Sequence, residues 1–279
     1  MNTSFEKILE EFSKYDEKYH DYEFPKVSIV IPSYNCAQSI TTTLDSLVEQ
    51  DYPDFEVIIV DRGSTDRTLE VIKNYHNEKI HIYSVTTDRR YEMLNKGITQ
   101  SNGIYINFLF PGDFYIYPET LKHMMTLALA HDKPELVFCG TLLRDGKREV
   151  KILYRHLTTK LLKIGQQPTS LQSVWFHSEL FSKLGKFNTQ MNLRGGYEMM
   201  CRFCLHKNLR AISTNRVLTD YDLRWVTKKM IVRHFWETMY TIIKYFGVGT
   251  AIQWLWIQKD TTRFAKLWLR GVRAAFLGK

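Results

Sequence analysis

The apolar positions change period along this chain, and the changes mark its elements. Residues 1–24 space Phe5, Ile8, Leu9, Phe12, Tyr15 and Tyr19 three and four apart among Glu and Lys, which predicts one amphipathic helix ended by Pro25. Residues 27–31 form a β-branched run closed by Pro32 and the polar Ser33-Tyr34-Asn35, the pattern of a buried strand entering a loop. Helical spacing returns over 37–49 (Ile40, Leu44, Leu47, Val48), and residues 55–60 make a second apolar strand. Strand, helix, strand is a βαβ unit, so a parallel sheet is expected.

The alternation continues with helices near 66–76, 91–100 and 118–130 and strands near 80–85, 105–110 and 136–139. This predicts a doubly wound α/β sheet with helices on both faces, which binds ligands at the carboxyl ends of its strands. The loops at those ends are 32–36, 61–66, 86–91 and 111–115. After residue 140 the elements shorten: a hairpin around Asp145-Gly146, a polar loop 158–170, a strand 172–177 and a helix 197–206. This second half is expected to pack on the first and close its cleft. No internal repeat is visible.

Composition narrows the class. Of 279 residues, 44% are hydrophobic and 24% charged, globular proportions that exclude disordered, collagen-like and disulfide-scaffold readings. Cys36, Cys139, Cys201 and Cys204 are too few to staple a secreted fold, and the N-terminal segment lacks the apolar core of a signal peptide, so a reducing cytosol is expected. Cys201 and Cys204 lie within a predicted helix with no second pair at zinc spacing. The net charge of +8 is uneven: from Arg224 onward eleven Lys or Arg face only Glu237 and Asp260, leaving the first 223 residues near neutral. That balance argues against a nucleic-acid-binding surface over the body.

Two strand-end loops carry candidate chemistry. Asp61 ends the second strand ahead of Arg62-Gly63-Ser64-Thr65-Asp66, where a carboxylate can accept hydrogen bonds from a ribose or base, or simply organise the turn. Asp113 follows Pro111-Gly112 at the end of the fourth, where a hard oxygen ligand suits Mg²⁺ or Mn²⁺ bridging phosphates. Arg89 and Arg90 stand in the loop after the third strand.

The segments 27–35, 58–66, 91–97 and 108–113 stand in the order and spacing of the family-two inverting glycosyltransferases. Residues 172–176, 185–188 and Tyr197-Glu198 resemble that family's acceptor-side motifs, and the nearest likeness is to its bacterial surface-polysaccharide branch, which includes colanic-acid-type transferases. The likeness spans about residues 26–222. It implies a GT-A fold, a nucleotide-sugar donor and a glycan or lipid-linked glycan acceptor. By that resemblance Pro32, Ser33 and Asn35 line the nucleoside pocket with Asp61, Asp113 meets a divalent metal (Mn or Mg) and the diphosphate, and Lys96 in Asn95-Lys96-Gly97 is a donor-site candidate. Three acid positions depart from the family's pattern. Arg62 replaces the second acid after Asp61, Phe110-Pro111-Gly112 replaces the Asp-x-Asp motif, and Gly196 holds the register of the base, for which Glu198 two residues on is the substitute. The departures leave two further readings open: a catalytically degenerate relative serving as a binding or scaffold module, and a metal-independent enzyme using Arg62, Arg89 or Arg90 on the diphosphate.

The chain thus divides into an N-terminal helix (1–24), a GT-A domain (25–223, with a nucleotide-sugar half 25–140 and an acceptor half 141–223) and a basic tail (224–279). The tail holds five of the six tryptophans, and Arg263, Lys266, Arg270 and Arg273 share one helix face opposite Phe264, Leu267, Trp268 and Phe276. A basic face opposite aromatics marks a helix lying on anionic lipid. The tail's longest uncharged stretch, 245–258, is shorter than the ~20 residues that span a bilayer. The expectation is a cytoplasmic enzyme peripheral on the inner membrane face, with no nucleic-acid partner.

Overall fold

The computed structural model describes residues 23–144, 151–224 and 226–257. The expected N-terminal helix, the Asp145-Gly146 turn and the last basic helix lie outside them.

Among the described residues eight strands form one sheet. Strands β1 (Val27–Ser33), β2 (Phe55–Asp61), β3 (Ile80–Ser84) and β4 (Tyr105–Phe108) are parallel, in the order β3-β2-β1-β4. Helices α1 (Ala37–Val48), α2 (Thr68–Lys73) and α3 (Arg90–Gln100) connect them, as the changing periodicity predicts. After β4 come α4 (Thr120–Leu129), β5 (Leu136–Arg144), β6 (Lys151–Leu153), α5 (Thr159–Lys163), β7 (Val174–His177), α6 (Glu179–Leu184), α7 (Gly195–Leu205) and β8 (Ala211–Asp222). β7 runs antiparallel between β4 and β5, and β6 pairs antiparallel with β5, giving the expected hairpin arms. The loop 158–170 contains α5, a turn of helix capped by Thr158 that its polar composition does not announce.

Strands β1, β2 and β4 bury both faces, which is why they read as apolar runs rather than alternations. Val27, Ile29 and Ile31 of β1 pack with Ile40 and Leu44 of α1 and Leu121 and Met125 of α4, while Val30 points to the other face among Leu94, Phe108, Phe176 and Tyr197. Each such side chain contributes roughly 1.5–3 kcal/mol on burial. Helix α3 lies so close to β1 that a Cβ on Gly97 would sit 2.2 Å from Val30 Cγ1.

The tail begins as α8 (Lys228–Phe246) and α9 (Val248–Ile257), and it is fastened to the body on one side. Glu237 accepts the amides of Asn192, Leu193 and Arg194, and Trp254 is buried against Gly165 and Phe235. The outer side is apolar and open: Ile231, Trp236, Val248, Ile252 and Trp256 are exposed, Trp256 to 84%. Among the described residues no helix is long and apolar enough to cross a membrane.

Candidate functional site

The strand order reverses at β1, with β2 on one side and β4 on the other, so the loops leaving β1 and β4 part and open a crevice. A cleft of about 500 Å³ lies there. Pro32, Ser33, Tyr34 and Asn35 form one wall, Phe110, Pro111 and Asp113 another, and Gln172, Gly196, Tyr197, Tyr221 and Asp222 come from the second half.

Asn35 adopts a left-handed backbone (φ 43°), a conformation Asn tolerates, and its Oδ1 accepts the amides of Thr65 (2.9 Å) and Asp66 (3.3 Å). It ties the β1 loop to the β2 loop. Asp61 is fully buried and outside the cleft lining. Its Oδ1 accepts the hydroxyls of Ser33 and Ser64, and its Oδ2 the amides of Gly63 and Ser64. Those four bonds fill the four acceptor sites of a carboxylate. The structure therefore places Asp61 as the fastener of the loop, with Arg62 as the residue presented: its guanidinium lies 3.8 Å over the Tyr34 ring, at the cleft wall.

Asp113 is 2% exposed and lines the cleft. Gln172 Nε2 donates to its Oδ2 (2.6 Å) and the Asp222 amide to its Oδ1 (2.9 Å). Burial pushes its pKa up to about 7; the two hydrogen bonds oppose this, and the charges of Asp220 and Asp222 add to it. Asp222 is a residue the sequence reading missed. Burial raises its carboxyl, but hydrogen bonds from the Arg224 side chain and amide and the charge of Arg144 hold it below the usual range. Gln172 is fixed from behind: its carbonyl accepts Asn107 Nδ2, and the neighbouring Ser173 joins a buried hydroxyl cluster with Thr141, Ser170 and Thr219.

Two other expected residues do not reach the cleft. Helix α7 turns Gly196, Tyr197 and Met200 toward it, while Glu198, about 100° further round, is buried against α8. There Glu198 pairs with Arg202 (2.8 Å) and Lys244 (3.6 Å) and accepts the Tyr245 hydroxyl. Lys96 is exposed on α3, outside the cleft lining. Its neighbours explain the motif: Asn95 bonds both backbone groups of Phe187, and Gly97 allows the close packing on Val30. Cys201 and Cys204 sit on α7 as free thiols that burial pushes up to about 12 and about 11, so neither is a reactive thiolate.

The family model for glycosyl transferase family 2 matches residues 28–202. The chain belongs to that family. It is a glycosyltransferase, with a mainly parallel GT-A sheet as expected. It is 26% identical over 200 residues to a PGL/p-HBAD biosynthesis glycosyltransferase of Mycobacterium bovis, covering 71% of this chain and 73% of the relative. Among solved structures it is similar to residues 1–349 of Staphylococcus aureus TarS in complex with UDP-GlcNAc (TM-score 0.66, 18% identity, 86% of this chain and 75% of that one). It is also similar to the mannosyltransferase PcManGT of Pyrobaculum calidifontis in complex with GDP-Man and Mn²⁺ (TM-score 0.58, 17% identity, 99% and 90%).

The residues of this family member do not fit such an ion. Among the described residues no three His, Cys, Asp or Glu side chains gather to hold one. Both oxygens of Asp113 are hydrogen-bonded, and both of Asp222 are taken by Arg224, with Arg144 adding a further charge. A divalent cation shared by Asp113 and Asp222 would meet, at Asp222, two guanidinium groups where it needs free oxygen ligands.

Asp222 and Tyr221 escaped the sequence reading because β8 did: its burial is mostly partial and its residues polar, so no apolar run marks it. Parallel pairing with β5 creates it, with register shifts near Gly140. The signal available was Asp220-Tyr221-Asp222, two acids at strand alternation, which share Arg144.

Proposed function

We propose that this glycosyltransferase moves a sugar, with inversion, from a nucleoside-diphosphate sugar to a hydroxyl of a glycan or lipid-linked glycan in polysaccharide or glycolipid biosynthesis. The observation that carries this is the cleft at the β1/β4 reversal, walled by the loops of the nucleotide half, Asp113 among its lining residues. The donors held by TarS and PcManGT, and the glycolipid role in the mycobacterial relative's name, support it.

In this reading the acceptor oxygen attacks the anomeric carbon from the face opposite the diphosphate. The carbon–oxygen bond to the diphosphate breaks, its electron pair leaves with the phosphate, and one displacement inverts the centre. The acceptor proton passes to Asp113, whose pKa near 7 suits a general base. Among the cleft carboxylates, Asp222 is held by arginines and Asp88 stands in open solvent. Glu198 has no part in the step. The test is release of nucleoside diphosphate from a panel of UDP-, GDP- and dTDP-sugars with a glycan acceptor. Turnover of one donor supports the reading; nucleotide binding without turnover on any acceptor favours the scaffold alternative.

The exposed apolar side of α8 and α9 supports peripheral association with an anionic lipid surface on the cytoplasmic side. Trp236, Ile252 and Trp256 would enter the interface, with Lys228, Lys229 and Arg233 available to acidic headgroups. Co-sedimentation with phosphatidylglycerol vesicles, lost in Trp256→Ser with Ile252→Ser, checks it.

A further inference from the structure

We propose that Arg90, assisted by Arg62, neutralises the donor diphosphate in this cleft in place of a divalent metal ion. The inference rests on the transferase reading above and deepens it. Arg90 is the first residue of α3 and lines the cleft, with its guanidinium 4.8 Å over the ring of Phe110 in the loop after β4. Arg62 lines the same cleft over Tyr34. Two cations are thus laid on aromatic faces on the loops where the phosphates of a donor would sit.

Their pairing sets them apart from the other arginines nearby. Arg89 is satisfied by Glu92 at 3.5 Å, Arg144 by Asp220 and Asp222, and Arg224 by Asp222. Among the described residues no carboxylate lies within ion-pair distance of Arg62 or Arg90. A guanidinium stacked on a ring keeps its five N–H donors at its edge, free for a planar, two-pronged grip on phosphate oxygens. Of the two acids that would otherwise recruit a metal, Asp222 is committed to two arginines, and Asp113, bonded to Gln172 and the Asp222 amide, keeps only the acceptor sites that receive the proton of the attacking hydroxyl. As the sugar leaves, charge develops on the diphosphate, and prepositioned cations stabilise it without needing an ion.

Titration calorimetry on the full-length protein tests this, with UDP, GDP and dTDP each run in EDTA and in Mn²⁺, and the matching nucleosides as a reference. The nucleoside diphosphate that binds is expected to do so equally, within about twofold, in both conditions. Arg90→Gln should weaken it about 10- to 100-fold, the scale of a lost charged hydrogen-bond pair, and leave the nucleoside's affinity unchanged, which also shows that the variant is folded. Arg90→Lys should recover part of the loss by restoring a point charge, Arg62→Gln should deepen it, and Arg89→Gln should do nothing. Tightening by Mn²⁺ of about tenfold or more, or an Arg90→Gln variant that binds as the wild type does, overturns the inference and leaves the transferase reading standing. A wild-type protein that binds none of the three nucleotides in either condition overturns both.

Discussion

The loops after β2 and β4 flank the loop of β1, and each holds a buried acid, Asp61 as the last residue of β2 and Asp113 in the turn that follows β4. They use those acids in opposite ways. Asp61 receives four hydrogen bonds from its own loop and Ser33, so its charge is spent inside the fold. Asp113 receives two, stands beside Asp220 and Asp222, and faces the cleft with a pKa near 7. In sequence both are an acid, a glycine and a turn. What separates a fastener from a reactive group is the number of donors each receives: three of the four on Asp61 come from its own loop and one from β1, whereas the two on Asp113 come from Gln172 and from Asp222 of β8.

Asp113→Asn should have the largest effect, because it removes the proposed base. Turnover is expected to fall about 10²- to 10⁴-fold, with nucleotide affinity changed little. Wild-type turnover should rise with pH through about 7 as Asp113 ionises, and any residual activity of the variant should lack that limb. Stability gives a second readout. The carboxyl's pKa is raised from 3.8 in the folded protein, so between pH 4 and 7 the folded state holds a proton that the unfolded chain has lost. Stability from this group is therefore full below pH 4 and falls as pH rises toward 7, by on the order of 1 kcal/mol per unit. Urea unfolding across that range should show a flatter profile in Asp113→Asn.

Asp61→Ala should act on the fold instead. It strands two amides and two hydroxyls, and a loss of about 3 kcal/mol or more in unfolding free energy is expected. Asp61→Asn should lose somewhat less, since one acceptor oxygen remains. A variant that unfolds like the wild type but no longer binds nucleotide would make Asp61 a ligand-holding residue and erase the contrast with Asp113.

Glu198→Gln tests the acid that α7 turns away from the cleft. Weakening its pairs with Arg202 and Lys244 should cost about 1–3 kcal/mol, while turnover of the folded variant stays within about threefold because no reacting atom is touched. A large fall in turnover with unchanged stability would return the base to Glu198.

Much of this was legible in the sequence wherever an element buries itself by its own pattern. The strands β1 to β4 follow from short apolar runs and helices α1 and α3 from period 3.6, and the β1/β4 crevice follows from the alternation of strand and helix. Elements made by their partners were not legible. β8 exists because β5 offers it an edge, and it carries Asp222. The direction of Glu198 depends on one residue of helical phase and on Lys244 and Tyr245, far along the chain. The two-sided character of α8, fastened through Glu237 and open at Trp236, likewise depends on contacts with the 192–194 loop.

Lys96 gives the smallest expected effect and the sharpest check on reading chemistry from a motif. It stands between two residues with structural duties, Asn95 holding both backbone groups of Phe187 and Gly97 lying against Val30. Its own side chain is exposed and away from the cleft. Lys96→Gln should therefore change unfolding free energy by no more than about 0.5 kcal/mol and leave nucleotide affinity and turnover at wild-type values. Asn95→Ala in the same helix, which strands two backbone groups, should cost about 1–3 kcal/mol. If Lys96→Gln instead weakened nucleotide binding at unchanged stability, the loop after β3 and helix α3 would have to swing toward the cleft when donor binds, and the motif would carry chemistry as well as packing.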